Sequence, residues 1–205
     1  MIEKHTLLSR WFHWINVPVL GLMLWSGILI YWAHQAFLKI PPAAAEKLNL
    51  QFRLAEGMGW HFFLMWIYAI NGLLYVSYVI LSGQWKTLLP DRADFKDALR
   101  VVAHDLHLSK TLPLQRGKYN AAQKLAYCGA LLMGLGTLIT GLAIYKPVQL
   151  GVLTQALGGY EAARFEHFLL MIGFLLFFVI HVTQVLRAGW NNFRSMIAGY
   201  ELEQE

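Results

Sequence analysis

Four stretches of the chain contain no Asp, Glu, Lys or Arg: residues 11–38, 57–85, 125–145 and 167–186, which are 28, 29, 21 and 20 residues long. About 20 apolar residues suffice for a helix to cross the hydrocarbon core of a bilayer. Within lipid a spanning segment must satisfy its own backbone hydrogen bonds, so helix is the solution short of a closed barrel. Composition points the same way. Of 205 residues, 57% are hydrophobic and only 14% charged, whereas soluble domains carry about a quarter charged residues. The pattern predicts an all-α integral membrane protein, one domain over 1–205, with a four-helix bundle spanning at about 11–35, 57–84, 120–145 and 164–188. The first segment is too long for the core of a cleavable signal and carries histidine, asparagine and proline early, so it reads as a retained helix. The single cysteine, Cys128, lies in the third span and cannot close an internal disulfide.

Lysine and arginine set the expected orientation. With four spans, the N-terminus, the 86–119 loop and the C-terminal tail share one side and hold eleven of these residues, with Lys124 at a helix edge; the other side holds five. Both termini are therefore expected in the cytoplasm. The net charge of +5 follows from this asymmetry. It does not call for nucleic acid, because the basic residues are spread along loops that flank spans. Between the second and third spans, "DRADFKDALRVVAHDLH" (91–107) places Phe95, Ala98, Leu99, Val102, Ala103 and Leu106 on one helical stripe. A short amphipathic helix on the cytoplasmic membrane face is expected there. Trp190, Phe193, Ile197 and Tyr200 repeat the idea more weakly in the tail, and the 39–53 loop with its Pro-Pro start could hold a short interfacial helix. No internal repeat, low-complexity tract or glycine-rich phosphate loop stands out.

Ionisable groups inside membranes are costly and tend to be functional. Five of the eight histidines fall within the spans: His13, His34, His61, His167 and His181. The up-and-down order places His13 and His181 toward the cytoplasmic face, and His61 and His167 toward the outer face. Along the fourth span His167 and His181 are fourteen residues apart, a rise of about 21 Å over nearly four turns, so both point to roughly the same side. Two stacked haems, each with two axial imidazoles, fit that arrangement. The plainer alternative is that each is an interhelical hydrogen bonder, and spans are rich in packing glycines in any case. His34, at the outer end of the first span, reads as an interface residue that competes with His61. His104 and His107 read as a solvated face. Zinc fits less well, because catalytic zinc gathers three protein ligands in one place.

Four segments carry a family resemblance: "SRWFHW" at 9–14, "HFFLMWIYAINGLLYVSYVILSGQW" at 61–85, "GKYNAAQKLAY" at 117–127, and the histidines at 167 and 181. In these, and over nearly its whole length, the chain resembles the bacterial cytochrome b-561 / nickel-iron hydrogenase / formate dehydrogenase gamma-subunit superfamily, with the flavour of thiosulfate-reductase-type cytochrome b subunits. The resemblance implies a di-haem b cytochrome that exchanges electrons between membrane quinone and a periplasmic redox subunit, of the molybdopterin oxidoreductase kind or similar. Carried over by motif, His13 and His181 would hold a cytoplasmic-side haem b, and His61 and His167 an outer haem b. The entry to the third span would supply a quinone site with Asn120, Gln123 and Lys124. The family pattern has a glycine where this chain has Ala122, which weakens the match there, and a helix N-cap at Asn120 with Lys124 as an anchor explains the same residues. Cationic partners for haem propionates would come from Arg10, Lys124 and Arg187 on one side and Arg53, Lys146 and Arg164 on the other.

The chain has neither the cysteine set of an iron–sulfur cluster nor a nucleotide fingerprint, which places substrate chemistry in another subunit. Its expected associates are lipid, quinone, that subunit and, as an open option, a second copy in a homodimer. Two rival readings stand beside this one: a stand-alone superoxide:quinone oxidoreductase, as in one branch of the resembled family, and a non-haem transporter with packed histidines.

Overall fold

The computed structural model describes residues 2–33, 41–50 and 52–202. The described elements are β1 (Ile2–Glu3), α1 (Leu7–Ala33), α2 (Pro42–Lys47), α3 (Leu54–Leu81), α4 (Trp85–Leu88), α5 (Arg92–Asp105), α6 (Ala121–Tyr145), α7 (Gly151–Ala156), α8 (Tyr160–Ala198) and β2 (Tyr200–Glu201). Among them α1, α3, α6 and α8 are long and apolar enough to span a membrane, as the four charge-free stretches predict. The chain is an all-α, multi-pass membrane protein, apart from the small β1–β2 pair.

The helix ends differ from the expected ones for local reasons. Helix α1 begins at Leu7 rather than near 11, because Thr6 Oγ1 accepts from the Ser9 amide at 3.4 Å and caps the first turn. Its expected end near 35, with His34, lies outside the described residues. Helix α3 stops at Leu81, where Gly83 takes φ 72°. Helix α8 starts at Tyr160, after Gly158 and Gly159 with φ 81° and 98°. Gly189 (φ 81°, ψ 175°) breaks it next to the expected end at 188, and a further helical stretch runs on to Ala198.

The chain forms two compact units. The first comprises Met1–Tyr75 with Val182–Glu205. Here β1 pairs antiparallel with β2, Ile2 opposite Glu201 and Glu3 opposite Tyr200. Lys4 and His5 amides donate to the Gly199 carbonyl at 2.9 and 3.2 Å, Lys4 Nζ to Asn192 Oδ1 at 2.8 Å and Trp14 Nε1 to the Met196 carbonyl at 2.9 Å. The Arg10 guanidinium donates to the Ile197 carbonyl. Strands of two residues carry no periodicity, so nothing in the sequence announces this clasp of the two ends.

Helices α1 and α3 meet at Gly57. A Cβ there would sit 2.8 Å from Leu29 Cβ and 3.1 Å from the Ser26 carbonyl oxygen. One end of the crossing is pinned by Asn71, whose Nδ2 donates to the Phe12 carbonyl and to Asn16 Oδ1, both at 3.2 Å. Close approach at small residues and hydrogen bonds between helices are what hold spans together when lipid is as apolar as leucine. The outward apolar side chains, such as Leu73 at 68% and Leu132 at 69% exposure, suit contact with lipid.

The second unit is Val76–His181. Asp91 caps α5, accepting from the Ala93 and Asp94 amides while Asp94 Oδ2 accepts from the Asp91 amide. Asp94 Oδ2 also takes the Lys124 ammonium at 2.9 Å, which ties α5 to the first turn of α6. The α5 residues buried in the chain are Asp94, Ala98 and Val101. The predicted stripe is mostly the other face: Phe95, Leu99, Val102 and Leu106 are exposed. The helix forms where expected, with the apolar stripe expected on the membrane left exposed and the Asp94–Lys124 ion pair on the packed side. Helices α6 and α8 approach at Gly136, against Leu170, and at Gly173, against the Met133 sulfur.

Candidate functional site

His61 lies on α3, seven residues past its first residue, Leu54. Its Nδ1 is 3.0 Å from Ser26 Oγ on α1. Ser26 is itself fully buried, and its hydroxyl donates to the Met23 carbonyl at 3.1 Å. A hydroxyl has one proton and two lone pairs. If that carbonyl takes the hydroxyl proton, the oxygen is left to accept from His61 Nδ1, the tautomer in which Nε2 is the basic nitrogen.

His167 lies on α8, seven residues past Tyr160. Its Nδ1 is 2.8 Å from Thr140 Oγ1 on α6. Thr140 is buried, and its hydroxyl donates to the Gly136 carbonyl at 2.7 Å. The same arrangement suits the same tautomer.

Glycine follows the hydroxyl residue in both places. A Cβ at Gly27 would lie 3.5 Å from His61 Cε1, and one at Gly141 would lie 3.3 Å from His167 Cε1. Each imidazole thus rests against bare backbone one residue after its hydroxyl partner.

These matching devices uncover a repeat that the sequence reading does not anticipate. "SGILIY" at 26–31 matches "TGLAIY" at 140–145, and "HFFLM" at 61–65 matches "HFLLM" at 167–171; seven of the eleven positions are identical. Gly57 and the fully buried Ala163 both stand four residues before the histidine, and Leu29 and the fully buried Ala143 both stand three after the hydroxyl residue. A short helix, α2 or α7, occupies the connection in each copy. The hydroxyl-to-histidine separation is 35 residues in one copy and 27 in the other, so no constant period betrays the repeat. The available signal was the pair of short words taken in order.

His13 and His181 sit beside aromatic rings. The His13 ring meets Trp14 edge-on with centroids 5.2 Å apart. The His181 ring stacks on Phe177, one turn earlier on α8, at 5.7 Å and 12°. All four imidazoles are half-buried within the chain.

The expected quinone residues are engaged in local structure. Asn120 caps α6: its Oδ1 accepts from the Gln123 amide at 2.9 Å, and Gln123 Oε1 accepts from the Asn120 amide at 3.0 Å. Lys124 is paired with Asp94. The box uses the two amide oxygens, so Asn120 Nδ2 and Gln123 Nε2 are the donors this turn can offer to a carbonyl. The cations considered for propionates are also engaged: Arg53 with Glu56 and over Trp25, Arg164 with Glu161 and over Tyr160, Lys146 over Tyr145.

The donor set suits haem iron. An imidazole whose Nδ1 donates to an oxygen can bind iron through Nε2, and the contacts of His61 with Ser26 and of His167 with Thr140 suit that role.

Comparison with known proteins agrees. The model of a family described as prokaryotic cytochrome b561 matches residues 4–199. A protein of Azospira oryzae, described as the putative protein-methionine-sulfoxide reductase subunit YedZ1, is 35% identical over 179 residues, covering 84% of this chain and 85% of that protein.

Proposed function

The chain belongs to the prokaryotic cytochrome b561 family, a membrane haem b electron-transfer subunit of the bacterial inner membrane, and on that premise we propose that it carries electrons between quinone and a periplasmic oxidoreductase through two haems b. Both termini then lie in the cytoplasm. His61 and His167 would hold the outer haem, and His13 and His181 the cytoplasmic-side haem. The observation that carries this reading is the twin hydroxyl–histidine pair, which suits two imidazoles to bind iron through Nε2.

A haem so ligated supplies one-electron chemistry at a potential set by its ligands and their surroundings. The chain's own residues do the rest. Ser26 and Thr140 orient the outer imidazoles. Phe177 and Trp14 lie against the other two rings. The capped first turn of α6 receives quinone: Asn120 Nδ2 and Gln123 Nε2 donate to its carbonyl oxygen, and Lys124, clamped by Asp94, holds the turn in place. The Azospira relative's name suggests a partner of the protein-methionine-sulfoxide reductase kind, and the wider resemblance suggests a molybdopterin enzyme. With such a partner, a quinol gives up two electrons and two protons, and the sulfoxide takes up two electrons and two protons as it becomes thioether and water.

The test is quinol oxidation by the purified chain in detergent, followed in the haem absorption. Quinol should reduce the haems without added protein. Gln123→Ala should raise the quinol concentration for half-maximal rate by roughly threefold to tenfold, as loss of one hydrogen bond does. Haems that quinol leaves oxidised while dithionite reduces them would overturn the quinone role.

A further inference from the structure

We infer that Ser26 and Thr140 are paired positioning residues for the outer haem: each accepts the Nδ1 proton of its histidine, and together they hold that haem's potential down. The inference deepens the proposed function and rests on its reading of His61 and His167 as axial ligands.

Three observations carry it. The contacts are short, 3.0 Å at Ser26 and 2.8 Å at Thr140. Each hydroxyl also has a carbonyl of its own helix within hydrogen-bond reach, Met23 or Gly136, an outlet for its own proton that suits the oxygen to accept from the ring. The device also occurs twice, on two helix pairs, within the repeated words and with the ring against glycine in each copy. A generic interhelical hydrogen bond would explain one such contact. Two copies with the same atom roles, on the two histidines that depth assigns to one haem, point to a shared task.

The consequence follows from ligand basicity. An imidazole that donates its Nδ1 proton to an oxygen gains electron density at Nε2 and is a stronger donor. Stronger donation favours the ferric state, which carries the extra charge, and lowers the potential. Removing the acceptor oxygen should therefore raise it. His13 and His181, set beside aromatic rings, belong to the other haem, which serves as an internal reference.

The experiment is a redox titration of the purified haem-loaded protein, resolving both haems, for wild type, Ser26→Ala, Thr140→Val and the conservative Ser26→Thr and Thr140→Ser. Each hydroxyl-free variant should raise the same haem's reduced-to-oxidised ratio at fixed potential by about threefold, which is about 28 mV at about 59 mV per tenfold for one electron. The other haem should not move, and the conservative variants should stay at wild type. If a hydroxyl-free variant loses the haem while its conservative counterpart keeps it, the inference stands, because the hydroxyl is what the two differ in. Unchanged potentials with both haems loaded would overturn it. If Ser26→Ala moves one haem and Thr140→Val the other, the hydroxyl role stands and the pairing of His61 with His167 falls. Absence of haem from the wild type would remove the ligand reading itself, and the inference with it.

Discussion

At Ser26 and Thr140 a hydroxyl oxygen lies within hydrogen-bond distance of a histidine Nδ1 on another helix. The histidines were legible from sequence because an imidazole in a 20-residue apolar run is conspicuous. Their partners were not, because serine and threonine in a span read as ordinary packing residues until a helix 27 or 35 residues away is brought against them. Gly57 is the other residue whose role is purely positional. With a Cβ there 2.8 Å from Leu29 Cβ, Gly57→Ala should cost about 1–3 kcal/mol as overpacking does, read as a lower midpoint in thermal unfolding of the detergent-solubilised protein. An unchanged midpoint would mean that α1 and α3 are not locked there. Asn71→Leu should remove both bonds to α1 and cost about 0.6–1.7 kcal/mol, the range for such bonds in membranes.

At the scale of the element, α5 illustrates what a pattern can and cannot reveal. The 3.6-residue period located the helix to within a residue or two. Its apolar stripe is exposed, as a helix expected on the membrane face requires, but the pattern does not single out Asp94, which is buried on the packed side. Lys124 reaches that carboxylate from α6, a contact no local window contains. The exposed stripe of Phe95, Leu99, Val102 and Leu106 suits a helix lying along lipid. Capping should matter: Asp91→Ala should destabilise α5 by about 1 kcal/mol, seen as faster amide exchange over 92–105. The Lys124 ammonium, first, and then the Asp91 amide hold the Asp94 carboxyl below its ordinary value. A depressed native value means that the stabilisation is fully present above the ordinary carboxylate range, about 3.9, and is lost as pH falls through the lowered value. The denaturant midpoint of the loop region should therefore hold steady from neutral pH down to about 5 and drop below about 4. In Asp94→Asn this acid dependence should flatten; if it persists unchanged, another carboxylate governs it.

For the whole molecule, two copies of a long helix, a short helix and a long helix carry a hydroxyl, a glycine and a histidine in the same order. The number of spans and their approximate ends followed from charge and hydropathy alone, since lipid imposes those terms on any sequence. The repeat and the clasp between the two ends did not, because unequal connections hide the first and strands of two residues hide the second. Family membership makes the chain an electron carrier, and the histidine positions make the specific claim of two haems shared in a fixed pairing. The direct test is a reduced-minus-oxidised spectrum with a haem-to-protein ratio for the purified chain and its four His→Ala variants. The account expects two b haems per chain in the wild type, loss of one and the same haem in His61→Ala and His167→Ala, and loss of the other in His13→Ala and His181→Ala. A single haem per chain, or loss of different haems from His61→Ala and His167→Ala, would contradict it.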